Sequence, residues 1–498
     1  MIFYKNLKKK KSQTAEVCLS HFDVGLASKN GDSVAKLNYG EMAYNISFEK
    51  GFLGTGLGVR ALQVPATKNN LTECHTFDMS EVGEVKDLLV DKWYNQTTQE
   101  YYYQVFIVDQ SNKIRVLPAI DSLGGVAWIQ STRLIDSPPS YCCAYKKQDA
   151  DVTIYFSSSG ALCLGLGQEQ LCTNVPEMKS CVVHYGNFFG ITKANNNKLI
   201  YTKKTRLDTW LANEGLSVVE FLDNRGLFTK LVTFNDYVYL FRENGITKIS
   251  KYSVDGEFSF THLYYSPSKI YENSICVCGS KIFFVTRDGL YTFDGNNVSK
   301  IMDDYDVYFT NFDNLNCSAT CLDGKYYLAT KCDFKDGQTI GCESGTFVNN
   351  ALFEIDINKK TINVLRGVDI KKLATLDTPY YSKVVCSFNT TNKNIVGEVT
   401  HDGKMFGDAT QKCWTSFETD FGFYNHRKRI KEVILTSKYD CQIKVKSDEE
   451  TKTFDVFGAE KVQRMQINVS GKSFCVEFLS QNQNMKIDKP KFVFDVVL

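Results

Sequence analysis

Apolar and polar residues alternate along this chain in short runs, each closed by a turn-forming pair. The clearest case is 275–301, Ile-Cys-Val-Cys-Gly-Ser-Lys-Ile-Phe-Phe-Val-Thr-Arg-Asp-Gly-Leu-Tyr-Thr-Phe-Asp-Gly-Asn-Asn-Val-Ser-Lys-Ile. Its apolar runs are too short for helices and rich in β-branched and aromatic side chains, which suit a pleated surface. Gly279-Ser280, Asp288-Gly289 and Asp294-Gly295 separate them. Gly reaches positive φ without a Cβ clash, and Asp tolerates the same region. The stretch predicts four short strands in a meander.

The meander repeats. A shift of 44 residues carries Ile275 onto Leu231, Gly279-Ser280 onto Asn235-Asp236, and Asp288-Gly289-Leu290 onto Asn244-Gly245-Ile246. Ile282-Phe283-Phe284 then falls on Val238-Tyr239-Leu240. The same shift forward carries Gly279-Ser280-Lys281 onto Asp323-Gly324-Lys325, and Phe283-Phe284 onto Tyr327-Leu328. A period of about 40–50 residues holding four strands is that of a β-propeller blade. No blade buries both of its faces alone, so closing a ring removes the apolar faces left at the two ends.

Weaker meanders are expected at 85–90, 101–109 and 114–117, at 141–144, 152–156 and 161–166, and at 181–184, 188–192 and 198–201. The last unit opens near Val384 and falls one or two strands short, so a segment within 41–77 is expected to supply a strand and lock the ring. The unit opening near Ala319 carries an insertion, 331–349, with Gly337, Gly341 and Gly345. Such insertions map to loops on one face. After Trp414 the rhythm changes to about six alternating strands. Ile443 and Val445, Phe454 and Val456, Ile467 and Val469, and Phe474, Val476 and Phe478 sit two apart, as one buried face requires. The expected organisation is all-β. It has an N-terminal arm with ring-closing strands in 1–83, a β-propeller of about seven blades in 84–412, and a C-terminal β-sandwich in 413–498.

Composition supports a packed interior, with 43% hydrophobic and 13% aromatic residues. Eight prolines and 33 glycines leave no long linker of either kind, and a net charge of +1 gives no bulk attraction to nucleic acid or membrane. No window of about 18 apolar residues is present, and the Lys8-Lys9-Lys10-Lys11 run leads into a polar stretch, so neither a membrane span nor a signal peptide is expected. The 17 cysteines then read as small buried hydrophobes of a chain made in reducing cytoplasm.

Candidate chemistry is sparse. His21, His75, His184, His262, His401 and His426 show no metal-ligand spacing. His184 is expected to be packed in a strand, and His401 exposed at a turn. Gly54, Gly56 and Gly58 fit neither a dinucleotide fingerprint nor a P-loop, and read as a bend between strands. Cys317, Cys321, Cys332 and Cys342 lack the Cys-x-x-Cys knuckle of a zinc site, and Cys142-Cys143 and Cys276-x-Cys278 read as strand residues. Thr286 to Phe293 matches a sialidase Asp box only loosely, and no Gly-x-Ser-x-Gly elbow occurs. Arg427-Lys428-Arg429 with Lys431, like the N-terminal lysines, reads as a solvated edge, with docking to an acidic partner or DNA as the alternative. No catalytic, cofactor-binding or metal-binding residue is assigned, and no enzyme is expected.

The repeats carry a more specific resemblance. Asn224-Arg225-Gly226, Thr229-Lys230-Leu231-Val232, Asp236-Tyr237-Val238-Tyr239-Leu240-Phe241-Arg242 and Gly245-Ile246-Thr247-Lys248-Ile249 resemble the tailed-bacteriophage DNA-stabilisation or tail-nozzle propellers. Lys269-Ile270-Tyr271, Asp288-Gly289-Leu290-Tyr291 and Phe293-Asp294-Gly295 continue the likeness. It is clearest over 180–305. The resemblance implies a structural role in the virion at the head–tail junction or tail, after synthesis in the host cytoplasm. The implied partners are further copies in a ring, portal, adaptor or tail proteins, and DNA passing through the assembly, with no catalytic residues. The competing expectation is a receptor- or carbohydrate-binding tail-tip protein that uses aromatics such as Tyr101-Tyr102-Tyr103 and Tyr264-Tyr265.

Overall fold

A computed structural model describes residues 12–19, 22, 40–48, 51–67, 70–76, 84–95, 100–118, 129–130, 141–147, 150–165, 168–172, 175–202, 216–251, 257–303, 308, 314–332, 334, 347–359, 361–389 and 394–497. The named elements are strands, with short 3₁₀ turns at Glu272–Ser274 and Asn314–Asn316. The protein is all-β. Among the described residues no helix is long and apolar enough to cross a membrane.

Six antiparallel sheets follow one another, each built from four consecutive strands in chain order. The first holds Asp87–Asn95, Glu100–Val108, Ile114–Pro118 and Ile129–Gln130, and the second Tyr141–Lys147, Ala150–Ser157, Gly160–Gly165 and Gln168–Cys172. The third holds Met178–His184, Asn187–Thr192, Lys198–Thr202 and Leu216–Glu220. The fourth holds Phe228–Phe234, Tyr237–Arg242, Gly245–Lys251 and Phe258–Tyr265. Cys276–Cys278, Lys281–Thr286, Gly289–Phe293 and Val298–Ile301 form the fifth, and Ser318–Leu322, Lys325–Thr330, Ala351–Asp356 and Thr361–Arg366 the sixth. A seventh opens with Asp369–Asp377, Ser382–Asn389 and Asn394–Thr400, with Gly58–Ala61 next in strand order.

The 44-residue period is a period of hairpins. Asn235-Asp236 lies at φ 47° and 61° and Asp323-Gly324, two periods on, at 51° and 73°; Tyr185-Gly186, off that period, turns alike at 54° and 76°. Positive φ at both central residues defines a tight turn whose twist matches the flanking strands, and Asn, Asp and Gly enter that region most readily.

The chain divides into two compact units. The larger comprises 61–352 and 367–399, the smaller 1–60, 353–366 and 400–498. In the larger unit the first strands of the third and fourth sheets pack together, as do those of the fifth and sixth, and Asp369–Asp377 packs back against Asp87–Asn95. Val85, Leu88, Val105, Ile107 and Leu117 share one core with Leu376, Val385 and Val396, and Leu62 and Val64 fill it from the N-terminal side. One feature of the sequence reading changes here and another holds. The last sheet opens at Asp369 instead of near Val384, because 369–377 alternates weakly around its lysines. The missing strand does come from within 41–77: the Leu62 N–H donates to the Val396 carbonyl at 3.1 Å and the Gln63 N–H to the Glu398 carboxylate at 3.4 Å. Glu398 is buried and pairs with Lys383 at 2.6 Å, while Lys383 also donates to the Gln63 carbonyl at 2.7 Å. A buried carboxylate satisfied in this way holds the incoming segment in register.

The smaller unit contains two antiparallel sheets. One runs Gly40–Tyr44, Lys412–Ser416, Phe474–Ser480, Cys441–Ser447, Thr451–Val456. The other runs Ile46–Ser47, Leu53–Thr55, Lys486–Val497, Arg427–Ser437, Ala459–Gly471, and Ser12–Cys18 also pairs with Lys486–Val497. Four strands from the first 60 residues therefore belong to the same unit as the C-terminal strands. Local alternation could not reveal this, since Ser12 pairs with Val497 and Cys18 with Lys491. Of the inward positions read from the sequence, Ile443, Val445, Val456, Ile467, Val469, Phe474, Val476 and Phe478 are buried and Phe454 is half-buried; Phe492, Phe494 and Val496 are buried as well. Phe421 stacks on Phe474 of one sheet at 5.4 Å and on Phe494 of the other at 5.0 Å.

The glycine-rich bend is a close backbone approach. A Cβ at Gly56 would lie 2.4 Å from the Asn45 carbonyl carbon, and one at Gly58 would lie 2.5 Å from the Lys404 oxygen. No side chain fits either position.

Candidate functional site

The first strands of the larger unit bring polar side chains together. Lys179 pairs with Glu272 at 2.8 Å, and the Lys230 ammonium donates to the Ile275 carbonyl at 2.8 Å. Lys371 pairs with Glu84, Lys372 stands 3.9 Å from Asp87, and Thr375 donates to the Cys321 carbonyl at 2.7 Å. Burial pulls the Lys230 ammonium below its ordinary value and pushes the Cys276 and Cys317 thiols up to about 11 and about 12. At neutral pH these thiols keep their protons, and a protonated thiol is a poor nucleophile and metal ligand. The Tyr326 hydroxyl, which donates to the Ser274 carbonyl at 2.7 Å, is likewise raised by burial. The cluster ties strands together.

Asn224-Arg225-Gly226, part of the resemblance above, forms a second cluster at the edge of the fourth sheet. Arg242 is buried, with its guanidinium 5.4 Å from the Phe221 ring centre and 5.2 Å from that of Phe228. It reaches Asp223 at 2.6 Å and donates twice to the Gly226 carbonyl, at 3.2 and 3.0 Å. Gly226 is held at φ 76°, and a Cβ there would meet Glu243 at 2.8 Å. Asp223 also accepts from the Arg225 N–H and side chain at 3.1 and 3.0 Å, and His262 lies 3.5 Å away. Burial raises the Asp223 carboxyl, but the Arg225 N–H and the Arg242 guanidinium outweigh it, so its pKa falls below the ordinary carboxylate value. Asp223→Ala strands a buried guanidinium and is expected to cost about 3 kcal/mol. A carboxylate with a lowered folded-state pKa stabilises above its unfolded value and stops doing so as pH falls through the folded one. Urea titrations should therefore show a wide gap between variant and wild type at pH 7 that closes in acid. A gap independent of pH would refute the ion-pair account.

The smaller unit carries an open cleft of about 440 Å³ lined by Gln411, Asp440, Gln442, Asp455, Phe457 and Asn482. Phe457 is 74% exposed at its rim. Gln442 donates to Asp455 at 2.8 Å, and Asp440 accepts from the Gly458 N–H at 2.6 Å. An exposed ring beside carboxylates and amides can stack on one face of a ligand while the polar groups bond its hydroxyls. Neither Phe457 nor this grouping stands out in the sequence, because four separate segments, around 411, 440, 456 and 481, supply it.

The remaining candidates disperse. His184 sits 2.9 Å from the Asp236 carbonyl, as a strand histidine would. His401 is more than an exposed turn residue: its Nε2 lies 2.8 Å from the buried Glu354 carboxylate, which also accepts from Asn363 at 2.8 Å. Cys321 leaves the Cys317–Cys342 grouping, because its sulfur is bonded to Cys278, so these two cysteines are a covalent link and not the free buried hydrophobes that the sequence suggests. Cys332 donates its N–H to Asn350 at 2.7 Å. Cys342, most of the 331–349 insertion, and Lys8 to Lys11 lie outside the described residues. Arg427 pairs with Glu449 at 2.6 Å, Lys431 with Asp495 at 2.8 Å, and Lys428 is buried, donating to the Phe423 and His426 carbonyls at 2.9 Å. Two of the four basic side chains, Arg427 and Lys431, are thus paired with carboxylates of their own unit. Among the described residues no group of three or more His, Cys, Asp or Glu side chains is placed to hold a metal.

No protein-family model matches the chain, and no curated protein matches it. Among solved structures, the N-terminal domain of Nup159 aligns with a TM-score of 0.39 at 10% identity, over 69% of this chain and 95% of that one. Kluyveromyces lactis Hsv2 aligns with a TM-score of 0.34 at 8% identity, over 63% of this chain and 93% of that one. Likeness at this level leaves the function of this chain to its own geometry.

Proposed function

We propose that this chain is a non-enzymatic structural component of a tailed-phage virion, acting in a ring of copies at the head–tail junction or in the tail. The larger unit is read as a seven-bladed β-propeller and the smaller as a β-sandwich. The observation that supports the reading is the run of seven successive sheets, with polar groups near several of their first strands paired with one another. Such a body offers rigid outer surfaces for assembly. In this reading DNA passes through the ring of copies. The residues of the resemblance, Asn224-Arg225-Gly226 and the Asp-Gly turns, serve as anchors and corners of blades in this reading. Electron microscopy of the purified chain should show rings, and portal or adaptor proteins should copurify with it. A chain that stays single at high concentration and binds neither would sink the proposal.

A second reading, a glycan-binding tail-tip protein, is favoured by the Phe457 cleft alone. Binding to host-surface glycan that is abolished by Phe457→Ala would support it, and absence of binding on a broad glycan panel would remove it.

A further inference from the structure

We propose that the cleft at Phe457 binds a sugar carrying a free amine, whose ammonium is taken by Asp440 and Asp455. The inference rests on the glycan-binding reading above and names the class of glycan. The cleft lies wholly within the smaller unit. Its volume of about 440 Å³ falls in the range of small-ligand sites, about 300–1,000 Å³.

The charge of the cleft is one-sided. Asp440 and Asp455 line it, and no Lys, Arg or His does. Both carboxylates accept from neutral groups, Asp440 from the Gly458 N–H at 2.6 Å and Asp455 from the Gln442 amide at 2.8 Å, so each keeps its charge. The lysines of the flanking segments are committed elsewhere. Lys438 pairs with Glu460 at 2.7 Å, Lys444 with Glu477 at 3.3 Å and Lys452 with Glu450 at 3.0 Å. Lys446 sits opposite Thr451, at the far end of its strand from Gln442 and Asp455. Lys412 is buried, its ammonium donating to the Thr410 and Asn482 carbonyls at 3.0 and 2.7 Å. Two uncancelled carboxylates beside an exposed ring favour a cation, the carboxylates by charge and the ring by its π face.

The fold fixes these groups before any ligand arrives. The Asp440 carbonyl accepts from Ser480 at 3.1 Å and from the Asn482 amide at 2.8 Å. A Cβ at Gly458 would lie 2.7 Å from the Lys438 oxygen, so the turn after Phe457 packs directly on the turn that carries Asp440. Such preorganisation lowers the ordering cost of binding. The Gln442 and Asn482 amides each donate to a neighbour and keep an oxygen to accept, which suits a ligand rich in O–H and N–H donors. A bare amine would leave these oxygens and the ring face idle, whereas a pyranose offers hydroxyls to the amides and an apolar C–H face to the ring. Cys441 in the wall adds no reactivity, because burial above all raises its thiol to about 11.

The test is calorimetric titration of the full chain with a glucosamine oligomer, its N-acetylated counterpart of equal length, and spermidine. In mildly acidic buffer the free-amine oligomer should bind about tenfold or more tightly than the acetylated one, a difference of about 1.4 kcal/mol. Added salt should shrink that preference. Asp455→Asn, at an exposed position, should remove it with the thermal midpoint unchanged, and Phe457→Ala should weaken both oligomers. Equal affinity for the two oligomers, or a preference that survives both Asp440→Asn and Asp455→Asn, overturns the amine inference and leaves the glycan reading standing. Spermidine binding as tightly as the free-amine oligomer overturns the assignment to a sugar. Binding of neither oligomer overturns both the inference and the reading beneath it.

Discussion

Reducing the disulfide between Cys278 and Cys321 is expected to lower the stability of the larger unit by about 4 kcal/mol. The two residues are 43 apart in sequence with their Cα atoms 5.4 Å apart, and they join the first strands of the fifth and sixth sheets. A link between first strands closes a loop spanning one complete sheet, and the lost freedom of the unfolded chain grows with the logarithm of that loop. Nearby Cys276 and Cys317 do not compete for the bond, because burial raises both thiols and holds down the thiolate that exchange requires. Calorimetry with and without reductant should show the larger unit melting earlier when reduced. The paired substitutions Cys278→Ser and Cys321→Ser should reproduce that shift and make the chain insensitive to reductant. Peptide mapping after blocking free thiols should recover the 278–321 link. A melt indifferent to both treatments would show that the strands are held by packing alone.

Phe421→Ala is expected to destabilise the smaller unit by about 3–5 kcal/mol. The ring is buried between its two sheets and stacks on Phe474, Phe492 and Phe494 at 5.4, 6.1 and 5.0 Å. Its backbone is held at φ 54°, a region unfavourable to a side chain with a Cβ. A residue kept there despite the strain is kept for its ring. Urea unfolding followed through the fluorescence of the buried Trp414, which packs 5.7 Å from Phe478 in the same unit, should report the loss. Phe421→Leu should recover part of it by refilling volume. A loss under about 1 kcal/mol for the alanine variant would mean that the sheets are joined elsewhere.

The two expectations differ in how far the sequence could anticipate them. Phe474, Phe492 and Phe494 lie on alternating strands and are legible as one buried face. Phe421 sits in a turn between Asp420 and Gly422, where no periodicity marks it as core. Cys278 and Cys321 each read as an ordinary strand cysteine, and only the side-by-side placement of two first strands makes them a pair. The Phe457 cleft was equally hidden, since Gln411, Asp440, Asp455 and Asn482 come from separate segments.

Sequence alone determined the all-β class, the 44-residue hairpin register and the inward faces of the C-terminal strands. Each of these depends on contacts within a few residues: a turn needing positive φ, or side chains alternating across one strand. Tertiary structure decided which strands are neighbours when from 43 to several hundred residues separate them. It placed Ser12–Cys18 against Lys486–Val497, brought Leu62 and Gln63 beside Val396 and Glu398, and joined Cys278 to Cys321. A strand edge accepts any partner of suitable twist, so its own residues do not specify which one it meets. That choice is made by the core as a whole, through the apolar faces that must be covered and the buried charges that must be paired.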